Sequence, residues 1–177
     1  MNKIAVVYKS KYGHTKKYAE WISDELNCDL YVANKTDIDA LKGYNTIIYG
    51  GGLYASGIIG VGLITKNYEA LKDKKLIVFT VGLADPNIKS QFKPIIDKNF
   101  TEEMKKSIEI FHLHGGIDYS ELNIIHKSMM NALKKMVEKK KEDQKTEEDR
   151  TMLETYGGVV DFTDKKSIQP IIAAANN

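Results

Sequence analysis

The sequence predicts a doubly wound α/β fold, with a five-stranded parallel sheet held between two layers of helices. Two observations lead there. Short apolar runs rich in β-branched residues recur along the first two-thirds of the chain, and amphipathic segments of helical period separate most of them. The runs are apolar at nearly every position, as strands buried on both faces must be.

The first strand is Ile4-Ala5-Val6-Val7-Tyr8, and a helix follows from His14 to Leu26. Asp29 to Ala33 is a weaker second strand, and Asp37 to Leu41 is a short turn or helix. Asn45 to Gly50 is the third strand, with a Gly-rich loop after it and a helix from Val61 to Leu71. Lys75 to Val81 is the fourth strand, closed by Gly82. A helix from Ser90 to Ile96 or Asn99 contains Pro94, and Ser107 to Leu113 is the fifth strand. The connections are short, as this alternation requires.

The pattern changes after Gly116. Leu122, Ile125, Met129, Leu133, Met136 and Val137 recur at helical spacing and read as core or as cover for the sheet. Lys134 to Arg150 is dense in charge and reads as a solvated helix end and loop. Tyr156 to Phe162 fits an extra strand or edge hairpin, and Ser167 to Ala175 a closing helix capped by Ser167. The expected organisation is a single domain, 1–177, with a helical and charged insertion at about 118–155.

Composition excludes several classes. Lys and Arg number 26 against 24 Asp and Glu, too balanced for a nucleic-acid partner. Cys28 is the only cysteine, which removes disulfide frameworks and Cys-based zinc sites and points to a reducing, cytoplasmic location. Met1-Asn2-Lys3 leads at once into a strand, leaving no room for a signal peptide, and no apolar run approaches the ~20 residues of a membrane span. His112 and His114 share a strand face without acidic or Cys neighbours, so no metal site is expected.

Chemistry concentrates in Ser10-Lys11-Tyr12-Gly13-His14-Thr15, between the first strand and the first helix. A helix start offers unpaired N–H groups and the positive end of its dipole to a phosphate. Gly13 permits a tight turn, Ser10 and Thr15 carry hydroxyl donors, and Lys11, Lys16 and Lys17 add positive charge. The same Ser and Thr also read as simple helix caps. A Walker A loop is absent, and the loop has one glycine where a dinucleotide fingerprint needs three.

Ser10-x-Tyr12-Gly13-His14-Thr15 resembles the flavodoxin phosphate loop. The resemblance continues at Gly50-Gly51-Gly52-Leu53-Tyr54-Ala55-Ser56-Gly57 and at Val81-Gly82-Leu83-Ala84-Asp85-Pro86. It implies an FMN cofactor, held by Ser10, Lys11, Tyr12, Gly13, His14 and Thr15 at the phosphate. Gly51, Gly52, Leu53, Tyr54, Ala55, Gly82, Leu83, Ala84 and Asp85 would surround the ring. Tyr54 is the candidate for stacking on the ring, or else an ordinary surface tyrosine. Within the family the chain is most similar to the branch containing menaquinone-dependent protoporphyrinogen dehydrogenase, through Tyr12 to Thr15, Gly116-Ile117-Asp118-Tyr119 and the amphipathic helix beyond.

The resemblance implies an FMN-dependent oxidoreductase acting on protoporphyrinogen or a similar bulky planar substrate with a quinone acceptor. The alternatives are a flavodoxin-type electron carrier and a binding module that has lost FMN. The expected partners are a redox protein or quinone, with weak peripheral membrane contact through the lysine-rich helix. Catalytic residues are not identified by the sequence.

Overall fold

The computed structural model describes residues 3–177; Met1 and Asn2, including their place in the expected strand entry, lie outside the described residues. The strands are β1 (Ile4–Lys9), β2 (Asp29–Val32), β3 (Thr46–Tyr54), β4 (Gly57–Ile58), β5 (Lys75–Gly82), β6 (Ile108–His114), β7 (Gly116–Asp118) and β8 (Val159–Asp161). The helices are α1 (His14–Leu26), α2 (Ile38–Leu41), α3 (Gly62–Thr65), α4 (Tyr68–Leu71), α5 (Lys93–Asn99), α6 (Glu102–Ser107), α7 (Ile124–Glu138), α8 (Glu147–Thr155) and α9 (Gln169–Asn176).

Five strands run parallel in the order β2-β1-β3-β5-β6, and the short β4 folds back antiparallel on β3. This is the expected doubly wound α/β sheet. Alternate residues feed two cores. Ala5, Val7, Ile47, Tyr49 and Val78 pack with Leu41, Ile64, Leu71 and Met104 on one face. Val6, Tyr8, Ile48, Ile77 and Phe79 pack with Tyr18, Ile22, Ile171 and Ala175 of α1 and α9 on the other. The chain leaves β1 toward β2 on one side and returns to β3 on the other. Such a reversal opens a crevice at the carboxyl ends of the central strands.

Several boundaries differ from the sequence reading. Beyond Gly50, where the strand was expected to end, Gly51 and Gly52 also belong to β3 and not to a loop after it. Parallel neighbours on both sides hold them extended, with Tyr8 and Lys9 opposite Gly50 and Gly51 and Val81 opposite Gly52. The single helix expected over 61–71 is two turns, α3 and α4. They part at Asn67, whose side-chain amide donates back to the Leu63 carbonyl. Helix α5 starts at Lys93 because Pro94 is tolerated only in a first turn. Helix α6 was missed, although Thr101 caps it through the Met104 N–H. Asp164, not Ser167, accepts from the backbone ahead of α9.

The insertion is more ordered in form than its charge implied. Residues expected to be a loop form α8, whose start is closed by a capping box between Thr146 and Asp149. The extra strand at 159–161 pairs antiparallel with β7. Lys17 on α1 ties this pair down, with Nζ 2.9 Å from Asp161 Oδ2 and 2.7 Å from Thr163 Oγ1. The α7 stripe is the clearest correction: Leu122 and Val137 are buried, but Ile125, Leu133 and Met136 face outward, and Met129 is exposed at the edge of Tyr54. The face turned inward carries His126 and Met130 instead, rotated along the helix from the stripe.

Candidate functional site

The strand register sets the loops side by side. Lys9 pairs with Gly51, Gly52 with Val81, and Gly82 with His114. The segments that follow β1, β5 and β6, with the end of β3, therefore open into one crevice. They enclose a cavity of about 320 Å³. Ser10, Lys11, Tyr12, His14 and Thr15 line it, with Gly52, Leu53, Tyr54 and Ala55 and with Gly82, Leu83 and Ala84.

The loop after β1 gathers hydrogen-bond donors at the start of α1. Gly13 takes φ +92°, a left-handed conformation that glycine adopts without strain. Its N–H donates to Ser10 Oγ at 3.0 Å. The Lys17 N–H makes the first helical bond, to the Gly13 carbonyl, so the amides of His14, Thr15 and Lys16 have no helical partner. Thr15 is buried among them. A Cβ placed on Gly52 would lie 3.5 Å from Thr15 Oγ1, so the missing side chain leaves open space beside this hydroxyl. Hydroxyl, free amides and adjoining room are a donor set that fits a phosphate, and the apolar walls from Leu53, Leu83 and Ala84 fit a flat ring beyond it.

Three expected residues lie elsewhere. Gly13 shapes the turn without lining the cavity. Gly51 faces the other side of the sheet, where a Cβ would come 2.5 Å from Ile58 Cγ2. Asp85 closes a local turn by accepting from the Asn87 N–H. Two of the three lysines are also committed: Lys16 pairs with Glu20 and Lys17 with Asp161. Lys11 alone of the three turns toward the site.

The rim carries backbone strain. Ala55 and Ser56 hold φ +47° and +62°, uncommon for residues with a side chain. Lys98 and Asn99 clamp the turn by donating to the Ala55 and Ser56 carbonyls. Tyr54 stands beside it, 38% exposed, with its hydroxyl 3.2 Å from Met129 Sδ and its ring centroid 4.6 Å from that of His126.

The sequence reading named no residue of the far wall as part of the site. Gly115, Gly116, Ile117, Leu122, His126, Met129 and Met130 complete the cavity. The Asn123 side chain caps α7 by accepting from the His126 N–H and so sets where that ring enters. His126 Nδ1 lies 2.5 Å from Tyr12 Oη, and Nε2 lies 3.3 Å from Lys11 Nζ. Burial, and then the Lys11 charge, hold its pKa below the ordinary value. Asn123 ahead of an apolar run signals a helix start but not the wall that His126 joins.

His112 and His114 are engaged separately. His112 stacks on Phe92 and bonds Thr80, and burial pushes its pKa down to about 4. His114 stacks on Phe162 and lies 3.0 Å from the Leu83 carbonyl oxygen.

Residues 5–145 match the flavodoxin domain family, and the chain belongs to it. An uncharacterized protein of Methanocaldococcus jannaschii is 40% identical over 53 residues, covering 29% of this chain and 35% of that protein. The chain thus spans about a third of the length of the curated relative it matches. Among solved structures, the Trp repressor binding protein of Bacillus subtilis is 20% identical, with TM-score 0.45 over 64% of this chain and 83% of that one. A WrbA-like flavodoxin of Agrobacterium tumefaciens is 19% identical, with TM-score 0.44 over 62% and 82%. Oxidised Flavodoxin 2 of Bacillus cereus is 16% identical, with TM-score 0.43 over 86% and 93%. Among the described residues, no helix is long and apolar enough to cross a membrane.

Proposed function

We propose that this protein binds FMN in the cavity at the strand ends and works as an FMN-dependent oxidoreductase. The observation that carries the reading is the convergence of the phosphate-type loop at 10–15, the end of β3 and the 82–84 segment on a single cavity. FMN would supply the electron chemistry, and the protein would supply binding, orientation and the electrostatic setting. The unpaired amides at the start of α1 and the Thr15 hydroxyl would take the phosphate. Leu53, Tyr54, Leu83 and Ala84 would border the ring.

The substrate class we propose is a bulky planar molecule such as protoporphyrinogen, with a quinone or redox protein as acceptor. Its support is the similarity of residues 12–15 and 116–119 to that branch, together with the exposure of Tyr54 and Leu83 at the mouth. The outward apolar stripe of α7 adjoins that mouth through Met129 and offers a surface for a hydrophobic partner or a membrane face. The same exposure favours a second reading, an electron carrier that docks its partner over Tyr54 and Leu83. An anaerobic assay separates the two. FMN-loaded protein should oxidise protoporphyrinogen in the presence of a menaquinone analogue. No turnover, with rapid electron exchange to a ferredoxin-type partner, would favour the carrier.

A further inference from the structure

We propose that Lys11, His126 and Tyr12 form a proton relay from solvent into the cavity. This rests on the redox reading of the cavity, because an acceptor reduced there takes up protons along with electrons.

The tautomer follows from the neighbours. A lysine ammonium has three donors and no acceptor. The contact from Lys11 Nζ to His126 Nε2 at 3.3 Å therefore makes Nε2 the acceptor, without a proton of its own. The neutral ring then carries its proton on Nδ1 and donates it to Tyr12 Oη, 2.5 Å away. Tyr12 Oη is an acceptor in that bond, so its own O–H points elsewhere. Tyr12 and His126 both line the cavity, and the cavity is where that O–H finds an acceptor. Lys11 is exposed and meets water, His126 between the two is buried, and Tyr12, half-buried, borders the cavity.

Of the groups facing His126, the Lys11 charge favours the neutral ring. Lys11 and Tyr12 come from the loop after β1, and Tyr54 from the end of β3. None of them is an acid that would hold a second proton on the imidazole. Burial and the Lys11 charge act in the same direction.

The step balances as proton movement alone. The Tyr12 O–H bond breaks toward the acceptor in the cavity, and the Nδ1 proton moves to Tyr12 Oη. A Lys11 proton moves to Nε2, and the lysine amine takes a proton from water. One proton leaves solvent and one reaches the acceptor. The ring then regains its starting tautomer by proton exchange with water.

Two measurements test this. In the protein without flavin, long-range ¹H–¹⁵N NMR should show His126 neutral at pH 7 and protonated on Nδ1. Lys11→Met should raise its pKa and move population toward the Nε2-protonated form. A wild-type ring that is Nε2-protonated, or positively charged at that pH, overturns the relay whether or not FMN binds. In FMN-loaded protein, stopped-flow reduction of the flavin by a dithiol or hydride donor should show a solvent deuterium isotope effect. Tyr12→Phe keeps the ring packed on His126 while removing the hydroxyl. It should abolish that effect and slow the proton-coupled step on the order of a hundredfold. An unchanged rate and isotope effect in Tyr12→Phe would overturn the relay. Failure of FMN to bind would overturn the redox reading instead and leave the NMR result to decide the hydrogen-bond geometry.

Discussion

Replacing Thr15 with Ala tests the phosphate cradle directly. Thr15 is 3% exposed and sits in the first turn of α1, beside the open space left by Gly52. Its hydroxyl can donate to a phosphate oxygen, and a hydrogen bond to a charged acceptor contributes roughly 1.5–3 kcal/mol. At about 1.4 kcal/mol per tenfold, FMN binding should weaken by roughly ten- to a hundredfold. The change also removes a buried methyl group, with a folding cost on the order of 1 kcal/mol, so the variant should remain folded. Quenching of flavin fluorescence gives the affinity, and riboflavin serves as the control because it lacks the phosphate. Riboflavin binding should change by less than about twofold, a few tenths of a kcal/mol. Equal losses for both ligands would show that Thr15 acts through the fold, and the reasoning about the cradle would fail.

Three further outcomes are expected. Gly52→Ala places a Cβ in ordinary contact with Thr15 Oγ1 and Ile59 Cδ1, at 3.5 and 3.7 Å. Urea unfolding should be nearly unchanged, while FMN binding weakens about tenfold as the space beside the hydroxyl fills; unaltered affinity would place the ligand elsewhere. Ala55→Gly relieves a left-handed residue at φ +47° and should raise stability by about 1 kcal/mol in the same assay, provided the gain outweighs the added freedom of the unfolded chain. His112 has a folded pKa of about 4, below its ordinary value near 6.5, so the unfolded chain binds the extra proton first. Its contribution is complete above about pH 6.5 and is lost as pH falls toward 4, roughly 1–2 kcal/mol after solvent screening. His112→Phe should flatten the denaturation midpoint across that window.

The parallel sheet was legible because Ile4 to Tyr8, Ile47 to Tyr49 and Leu76 to Phe79 are apolar throughout and rich in β-branched residues, as strands buried on both faces are. The phosphate-type loop was legible because its chemistry is local, with Ser10, Gly13 and Thr15 within six residues of chain. The far wall was not. His126 meets Tyr12 across 114 residues, and no local pattern encodes that contact. The α7 stripe shows the opposite error. Its spacing correctly marked a helix, but periodicity cannot say which neighbour the apolar face will meet, and here the buried face is the one carrying His126 and Met130. The glycines of β3 misled for a related reason. Gly usually marks a loop, whereas Gly51 is required inside the strand by the approach of Ile58.

Titration of the purified, flavin-free protein with FMN tests the central claim most directly. The account predicts one FMN per chain, with strong quenching of flavin fluorescence and an altered visible absorption spectrum, and weaker binding of riboflavin under the same conditions. No binding at micromolar FMN, or binding that ignores the phosphate, would contradict it.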